Sequence, residues 1–475
     1  NRRSELVEPL TNYLVGRVQK DFNERNSYIG GIFTATNRNL TDELNFLRSA
    51  AYTGGVDFRH SWKNRNYYFE GNFVTSHITG SEKAIAETQN SITHLFQRVD
   101  AGHVEVDSTR TSMSGTGGKI EIGKAGGGNW RYDGGLIWRS PELELNDIGF
   151  LRQADEIKQT ASIKRLFLKP TNFYRRAQMG LSQYATFDFE GNYNRVQYQF
   201  EGFINYKNNW WTELGGAHKP RIFSNTVLRG GPRWRWSDEN FGYLFFGSDN
   251  RKKVSFTLGY VNSQAAENNF SLERYVLRLY YQPFDAFSLS ISSEYEENPN
   301  KTQYVTEKRF NGTPRYITGN IDQRTFSTSI RFNYSLNPNL SIQYYGQPFI
   351  SRGTYTDFNF VNNPIAEDLN ERVTKFSNNQ ISSPDIGNPY LIDEDTDGIV
   401  DYEIENPDFS FVQFRSNLVL RWEYIPGSEI FLVWSQGVLG SANPYETLGN
   451  NLDAQIFGQK KDNTFLIKAT YRFVL

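Results

Sequence analysis

The chain has 475 residues and a formal net charge of −2, with 51 Lys and Arg against 53 Asp and Glu. This balance gives no reason to expect a nucleic-acid partner, because surfaces that bind nucleic acids carry an excess of cations. There is no cysteine, so disulfides, thiolate nucleophiles and cysteine metal ligands are all excluded.

The composition does not suit ordinary soluble domains. Only 38% of the residues are hydrophobic and the mean hydropathy is −0.62, yet 15% are aromatic. Strands with one face in lipid and the other in water produce this combination. No run of 18 apolar residues occurs, so we expect no membrane-spanning helix, and a membrane protein without such helices must be a closed barrel. Because the sequence opens at Asn1 without a signal peptide, we expect a mature or partial chain.

Taken in chain order, the sequence predicts a series of β-hairpins. Apolar and polar residues alternate, as in strands with two different faces, and polar or glycine-rich turns separate them. The first predicted hairpins join residues 13–20 to 28–36, 52–62 to 67–79, and 118–124 to 130–140. Two long irregular segments, 80–116 and 141–155, interrupt this part. Within the first, residues 81–96 lack a strong apolar face and are predicted to form a loop with a helical turn.

The C-terminal half alternates more cleanly. Residues 287–310 and 314–336 are predicted to pair over the turn Asn311-Gly312, since Asn-Gly is the strongest hairpin dipeptide. A loop of more than forty residues, 361–408, follows two strands later. The last strand puts Phe465, Ile467, Ala469 and further apolar residues on one face. Over residues 1–475 the pattern predicts an all-β fold: a large antiparallel transmembrane β-barrel of roughly 20 strands, with long extracellular loops toward the C-terminus.

Turn lengths predict the orientation, because bacterial barrels place short turns in the periplasm and long loops outside. With the C-terminus on the periplasmic side, the short turns at 282–285, 337–339 and 426–428 fall on that side. The loops at 297–325, 361–408 and 440–462 then face outward. The same count sends 80–116 and 141–155 to the periplasmic side. Either a strand is miscounted, or these two segments fold into the lumen or dock onto something beneath it.

Four strings carry a resemblance to a known family: residues 146–155 (NDIGFLRQAD), 346–350 (GQPFI), 417–424 (NLVLRWEY) and 431–436 (FLVWSQ). On these strings, nearly the whole chain resembles a Bacteroidota outer-membrane barrel family of unknown function, domain of unknown function 5916. In that family a carbohydrate-binding family-9-like domain precedes the barrel. The resemblance implies that this chain is the C-terminal, barrel-forming part, and it supplies no catalytic residues.

The sharpest local motif is Asp393-Glu394-Asp395-Thr396-Asp397-Gly398, followed by Asp401. Oxygen ligands at positions 1, 3 and 5 with glycine at 6 match the first half of a calcium-binding loop. Position 12 is Ile404 rather than Glu, so we predict a variant Ca²⁺ site with ligands Asp393, Asp395, Asp397 and Asp401. Glu403 or Glu405 would complete it. The alternative is a solvated acidic loop.

Six cations on predicted inward faces are candidates for lining a pore that favours anionic or sugar solutes: Arg278, Arg331, Arg415, Arg421, Lys468 and Arg472. The alternative is a lumen of paired charges, with Glu423 among the partners, that only stiffens the barrel. Aromatic residues on the polar faces, such as Phe203, Tyr280 and Tyr345, are candidates for stacking on sugar rings. Tryptophans are predicted to serve as interface or lipid-facing anchors: Trp210, Trp211, Trp234, Trp236, Trp422 and Trp434.

An enzyme is the least favoured class. No Gly-x-Ser-x-Gly elbow occurs, and the five histidines show no metal-ligand spacing: His60, His77, His94, His103 and His218. The leading hypothesis is an outer-membrane conduit or docking platform linked to glycan uptake or handling. Its expected partners are outer-membrane lipid, other outer-membrane or periplasmic proteins, and glycans. The main alternative is a plugged structural or assembly subunit of a larger complex, and a barrel-wall hydrolase is the remaining one.

Overall fold

Antiparallel strands make up most of the chain in the computed structural model, which describes residues 8–383, 388–456 and 458–473. The first ten are β1 (Leu10–Phe22), β2 (Ser27–Asn39), β3 (Arg48–Trp62), β4 (Tyr67–Gly80), β5 (Ser112–Lys124), β6 (Trp130–Arg139), β7 (Glu156–Phe167), β8 (Tyr174–Phe187), β9 (Tyr193–Tyr206) and β10 (Trp211–Lys219). The middle strands are β11 (Ile222–Ser224), β12 (Trp234–Trp236), β13 (Glu239–Gly247), β14 (Val254–Ala265), β15 (Ser271–Phe284), β16 (Phe287–Glu297), β17 (Asn300–Phe310), β18 (Thr313–Asn337) and β19 (Leu340–Val361).

The remaining strands are β20 (Val373–Lys375), β21 (Ile381–Ser382), β22 (Tyr390–Ile392), β23 (Tyr402–Ile404), β24 (Phe409–Ile425), β25 (Ser428–Ser441) and β26 (Asp462–Thr470). Three short α-helices, α1 (Glu82–Asn90), α2 (Leu369–Arg372) and α3 (Leu448–Ile456), lie in connections, as do 3-10 turns at Asp42–Leu44 and Ala266–Asn268. Among the residues described, no helix is long and apolar enough to cross a membrane.

One sheet holds 21 of these strands, and every pairing in it is antiparallel. β16 and β17 form one pass interrupted at residues 298 and 299, and β20 only extends the edge of β19. The described chain therefore crosses the sheet 19 times, each pass beside the next in sequence. The predictions of an all-β antiparallel architecture and of roughly 20 strands are confirmed. The predicted hairpins over the turns at 23–26, 63–66 and 311–312 are also confirmed.

The two ends of the sheet differ in the length of their connections. At one end, called the turn end, the connections are short: 23–26, 63–66, 125–129, 168–173, 207–210, 248–253, 285–286, 338–339 and 426–427. At the other, called the loop end, most are longer: 40–47, 81–111, 140–155, 188–192, 220–238, 266–270, 362–408 and 442–461. Segments 80–116 and 141–155 therefore lie at the same end as 361–408, and the sequence-based count that separated them is wrong. Each strand crossed moves a connection to the other end of the sheet, so an odd error in the number of strands reverses the assignment.

Two other predictions need correction. Residues 297–325 are not a loop, because β17 and the first half of β18 extend the sheet beyond its neighbours at the loop end. Residues 81–96 contain a true helix, α1, whose first turn is capped by Ser81 Oγ accepting a hydrogen bond from Ala84 N at 3.1 Å. Ala84, Ile85, Thr88 and Gln89 form the buried face of α1, so a face that is only half apolar anchors this short helix.

The buried hydrophobic clusters lie at the loop end, where connections from distant strands meet. Leu228 and Trp234, in the connection 220–238, pack with Tyr316 of β18. In the same connection, Arg233 N donates a hydrogen bond to Asp100 Oδ2 at 2.7 Å. Asp100 and Tyr316 belong to parts of the sheet that are eleven passes apart, which would be roughly 50 Å on a flat sheet. The sheet therefore curls around the face that these connections cover.

Candidate functional site

The two faces of the sheet differ sharply in polarity. Strand register aligns eight residues of β14, β15, β16, β18, β19, β24, β25 and β26 in one row, and all eight are apolar or aromatic: Val254, Tyr281, Leu289, Phe332, Tyr344, Leu418, Trp434 and Phe465. The adjacent row, pointing to the other face, is wholly polar: Ser255, Tyr280, Ser290, Arg331, Tyr345, Asn417, Ser435 and Thr464.

Many side chains of the apolar face are exposed. Val18 at one edge is 78% accessible and Phe465 at the other is 74% accessible, and Val56, Phe73 and Ile120 between them are also exposed. Soluble monomers rarely expose an apolar surface of this extent. The face on which the connections pack is the polar one, because Glu144 N donates to Ser76 Oγ on that face of β4 at 3.0 Å. The inner face is therefore polar and the outer face apolar.

Five of the six predicted lumenal cations lie on the inner face of the C-terminal strands. Arg278 lies over the ring of Phe245 at 5.8 Å, Arg331 over Tyr345 at 5.0 Å, and Lys468 over Phe431 at 5.9 Å. Arg415 donates to the side-chain oxygen of Gln413 at 3.3 Å. Among the described residues, none of these four forms an ion pair with a carboxylate.

The other two predicted cations are placed differently. Arg421 Nε donates to Glu429 Oε1 at 2.9 Å, and its guanidinium also lies 3.7 Å from Glu423, the partner expected from the sequence. Arg472 follows β26, and its backbone N–H donates to Ser428 Oγ at 3.0 Å at the turn end. Arg421 is thus part of a paired set, and Arg472 lies outside the row of strand residues.

Several inner-face cations of the N-terminal strands are paired with carboxylates, whereas Lys158 lies over the ring of Tyr184 and Arg176 over that of Phe203. Arg59 lies 2.9 Å from Glu70, and Lys119 bridges Glu70 at 3.3 Å and Glu121 at 2.8 Å. Lys164 lies 2.6 Å from Glu201. Three of these contacts join different strands, β3 to β4, β4 to β5 and β7 to β9, so they bind the wall together and leave little net charge.

Segments 81–111 and 140–155 cover the inner face of β3, β4 and β5 at the loop end, and we call them the cap. Leu143 lies directly over Gly115, where an added Cβ would come within 2.1 Å of the Leu143 backbone nitrogen. Because glycine has no side chain, Gly115 permits this close approach of two backbones. Ile85 and Phe96 of the cap form a buried cluster with Ile78 and Met113 of the wall.

A buried charge network fixes the cap to the wall. Glu144 Oε2 lies 3.0 Å from His94 Nε2 and 3.5 Å from Arg48, and the Asp147 carboxylate lies 3.1 Å from Arg48 and 2.7 Å from Arg38. Desolvation opposes the ionisation of Glu144, but its hydrogen bond with His94 and the charge of Arg48 outweigh that effect and lower the pKa of Glu144. Glu144 is therefore held ionised beside Arg48.

No sequence motif indicates these roles. His94 and His103 carry no motif, yet His94 is buried against Glu144 and His103 Nε2 lies 3.0 Å from Asp155 Oδ1. Trp234, predicted as an interface or lipid anchor, is fully buried at the loop end beneath the guanidinium of Arg372. That prediction is wrong for Trp234, because its indole packs inside a folded connection, whereas Trp422 and Trp434 are exposed on the outer face.

The acidic motif forms the tip of a hairpin between β22 and β23. Carboxylate oxygens of Asp393, Asp395 and Asp401 lie within 4.8 Å of one another. Asp393 also accepts hydrogen bonds from the backbone N–H groups of Asp397 and Gly398, and Gly398 has the positive φ of 90° that the tight loop requires. Desolvation and the neighbouring carboxylates of Asp397 and Asp401 raise the pKa of Asp395.

Asp397 lies in the same loop but is used differently, since its Oδ1 accepts from Ile399 N at 2.8 Å. The hairpin is held to the extended sheet because Glu394 accepts from Arg315 of β18 at 2.8 Å and from Tyr402 Oη at 2.7 Å. Burial and this bond to Glu394 raise the pKa of Tyr402. Ile392 and Ile404 are fully buried beside Ile317 and Phe358, so the hairpin belongs to a folded part of segment 362–408.

Two solved structures are similar in overall shape. The siderophore receptor PirA from Acinetobacter baumannii is 9% identical over 90% of this chain and 73% of that chain, with a TM-score of 0.39. A mutant of the ferric enterobactin receptor PfeA from Pseudomonas aeruginosa is 7% identical over 93% and 75%, also with a TM-score of 0.39. No curated protein matches the sequence. The family described as "Domain of unknown function (DUF5916)" matches residues 1–474, and the chain belongs to that family.

Proposed function

We propose that this chain forms the wall of an outer-membrane barrel that conducts or docks small solutes, with the cap controlling access to the inner face. The observation that supports this most is the pair of adjacent register rows: the first holds only aliphatic and aromatic side chains, four of them exposed, and the second holds hydroxyl, amide and guanidinium groups. A strand can satisfy its backbone within a sheet while it meets lipid on one side and water on the other.

The orientation follows from the connections. Short periplasmic turns and long outer loops are the rule for bacterial barrels, so we assign the turn end to the periplasm and the loop end to the cell surface. The cap and the calcium-loop hairpin then face the exterior, where solutes arrive. Outer-membrane lipid is the partner of the apolar face, and the extended sheet of β17, β18 and β19 offers a surface for other outer-membrane proteins.

Anionic, sugar-containing solutes are the class we favour. Arg278, Arg331, Arg415 and Lys468 lie on the inner face without a carboxylate partner among the described residues, and serines and tyrosines lie beside them. Guanidinium groups bind carboxylates, phosphates and sulfates, and rings such as Tyr345 stack on sugars. The glycan part of the proposal comes from the resemblance to barrels that follow a carbohydrate-binding domain.

Reconstitution into planar bilayers tests the proposal. The native chain is expected to insert and show low conductance, because the cap covers the inner face. The double substitution Glu144→Gln with Asp147→Asn, which weakens the network that holds the cap, is expected to increase conductance several-fold. Glu43→Gln, an exposed carboxylate in the short connection 40–47, is the control. Failure to insert into lipid would contradict the membrane assignment.

A plugged structural or assembly subunit is the second candidate. The burial of the contacts between cap and wall favours it. His94 and Glu144 are almost completely buried, and the buried cluster around Ile85 adds apolar contacts, so cap release is costly. The same bilayer measurement separates the two functions. A chain that inserts but shows no steady conductance, even when limited proteolysis demonstrates that the cap is released, is a scaffold.

We also propose that residues 393–401 bind Ca²⁺. Asp393, Asp395 and Asp401 bring hard oxygen ligands together, as calcium prefers, and the raised pKa of Asp395 is the expected result of carboxylates gathered without a cation. Binding would join β22 to β23 and stabilise the hairpin on β18. Thermal unfolding with calcium and with chelator tests this role, and identical curves would exclude it.

A further inference from the structure

The two strands at the edges of the sheet are each paired on one side. β1 pairs with β2 and β26 pairs with β25, and no partner for the opposite edge of either strand is found among the described residues. Their side chains are exposed on both faces: Val15 (58%) and Val18 (78%) on β1, and Leu466 (56%) and Ile467 (74%) on β26. β1 and β26 are therefore the two free edges of the described sheet, each with backbone groups that no strand pairs. We call the space between these two edges the seam.

Strand direction decides what fits this seam. Nineteen antiparallel passes are an odd number, so the first and last run the same way, and both β1 and β26 run from the loop end to the turn end. Direct pairing of β1 with β26 would be parallel, in a sheet where every other pairing is antiparallel. Bacterial single-chain barrels have an even number of strands, which lets all neighbours pair antiparallel.

A second copy of the chain does not solve the problem. Two copies inserted in one membrane have the same orientation, so every edge strand that the second copy presents also runs from the loop end to the turn end. Antiparallel pairing between copies would require one of them to be inverted across the membrane. A strand that runs from the turn end to the loop end, by contrast, pairs antiparallel with both edges.

We propose that the seam binds one further β-strand, supplied by an extended polypeptide segment that runs from the turn end to the loop end. Its chemistry is set by its neighbours. Residues beside Val18, Phe465 and Ile467 must be apolar. The alternate residues point to the inner face, where Arg17 and Lys468 suit polar neighbours and Val15 and Leu466 suit apolar ones. About 9–11 residues suffice to cross the apolar band. The inference rests on the proposed membrane placement, because lipid cannot satisfy the free N–H and C=O groups of an open edge.

The absence of cysteine makes the test clean, since introduced pairs have no competing thiol. The variant Val15→Cys with Leu466→Cys places one thiol on the inner face of each edge. An intervening strand separates the two edges by about 9–10 Å, which exceeds the Cα spacing of about 4.4–6.8 Å that a disulfide spans. We expect no disulfide under oxidation, but efficient linkage by a bis-maleimide of about 10 Å. The matched control, Val15→Cys with Thr34→Cys across the β1–β2 pair, is expected to form a disulfide.

Photocrosslinking identifies the occupant. The photoreactive residue p-benzoylphenylalanine is placed at position 15 or at position 466 of the full-length protein in intact cells, and adducts are mapped by mass spectrometry. We expect both probes to trap the same polypeptide segment. Probes moved toward the turn end, at positions 19 and 470, are expected to trap residues that come earlier in that segment, as antiparallel pairing requires.

Two results would overturn the inference: a high-yield disulfide between positions 15 and 466, which means direct closure, or adducts to lipid alone at both edges. Neither depends on conductance. If the protein is stripped from membranes by alkaline carbonate while both probes still trap one segment, the membrane function is wrong and the strand site stands. If it remains in the membrane and the disulfide forms, the function stands and the strand site is wrong.

Discussion

Two sets of inward-facing cations, one on strands beneath and beside the cap and one on the C-terminal strands, make different contacts. Between β3 and β9, Arg59, Lys119 and Lys164 each lie within 3.3 Å of a carboxylate on the inner face. Between β15 and β26, Arg278 and Arg331 lie over aromatic rings instead. Both parts follow the same alternation of apolar and polar residues, so the pattern that builds the wall does not determine what its inner face does.

The difference coincides with the position of the cap. The cap packs on β3, β4 and β5, where the inner charges are paired and glycines permit close approach. Paired charges suit a surface that stays in contact with protein, because an unpaired charge under the cap would be costly. In the C-terminal part, Arg278, Arg331, Arg415 and Lys468 have no carboxylate partner among the described residues and are available for solutes. We therefore regard the first part as the support for the cap and the second as the surface that contacts solutes.

The largest expected effect comes from disturbing the contact between cap and wall. Gly115→Ala places a Cβ about 2 Å from the backbone of Leu143, and we expect a loss of about 3 kcal/mol in the free energy of unfolding. Gly16→Ala on β1 is the matched control, since nothing lies within 4 Å of its Cβ position. Urea denaturation of the two refolded variants measures the difference. Equal stability would show that the cap does not pack as described.

Removing one charge of the buried network is expected to have a somewhat smaller effect. Glu144→Gln leaves His94 without its carboxylate and Arg48 with Asp147 alone, and it should cost about 2 kcal/mol. Because the pKa of Glu144 is lowered on folding, its contribution is fully present above the unfolded pKa and is lost as the pH falls through the folded value. The native chain should therefore lose more stability than the variant between about pH 5 and pH 3. Parallel losses would contradict the network's role.

Arg278 and Arg331 give the sharpest test of the C-terminal part. Their joint replacement, Arg278→Gln with Arg331→Gln, is expected to reduce the preference for anions over cations by about tenfold in the form with the cap released, equivalent to about 1.4 kcal/mol. The matched control, Lys164→Gln with Glu201→Gln, removes an ion pair and leaves net charge unchanged. Reversal potentials in a salt gradient measure the ratio. An equal shift in the control would remove the distinction between the two parts.

Much of the fold could be predicted from the sequence, because a two-residue period fixes which face each strand residue occupies. The faces of Val196 to Tyr206 and of Phe465 to Ala469 follow from it, as does the hairpin at Asn311-Gly312. To assign a connection to the turn end or the loop end, every strand before it must be counted. One strand too many or too few assigns the connection to the opposite end. That is why segments 80–116 and 141–155 were assigned to the wrong end.

The cap could not be predicted for a different physical reason. Long-range packing brings together Glu144, His94 and Arg48, which lie in three distant segments. The spacing of residues within one segment does not predict such a contact. Helix α1 shows the same limit, since two of its four buried residues, Thr88 and Gln89, are polar and no strong apolar face can be read from its sequence. The acidic motif is the opposite case, because its ligands are close in sequence. The meeting of Asp393, Asp395 and Asp401 follows directly from their spacing.

The calcium loop is expected to give the smallest effect, because it stabilises one hairpin outside the wall. Calcium at about ten times its Kd should stabilise the native chain by about 1.4 kcal/mol, and Asp395→Asn should abolish that gain. Since folding raises the pKa of Asp395, protonation competes with the cation, and the stabilisation by calcium should grow as the pH rises through that value. Glu367→Gln, an exposed carboxylate of the same segment, is the control. Calorimetric melting with and without chelator measures each case, and a calcium effect that survives in Asp395→Asn would place the ion elsewhere.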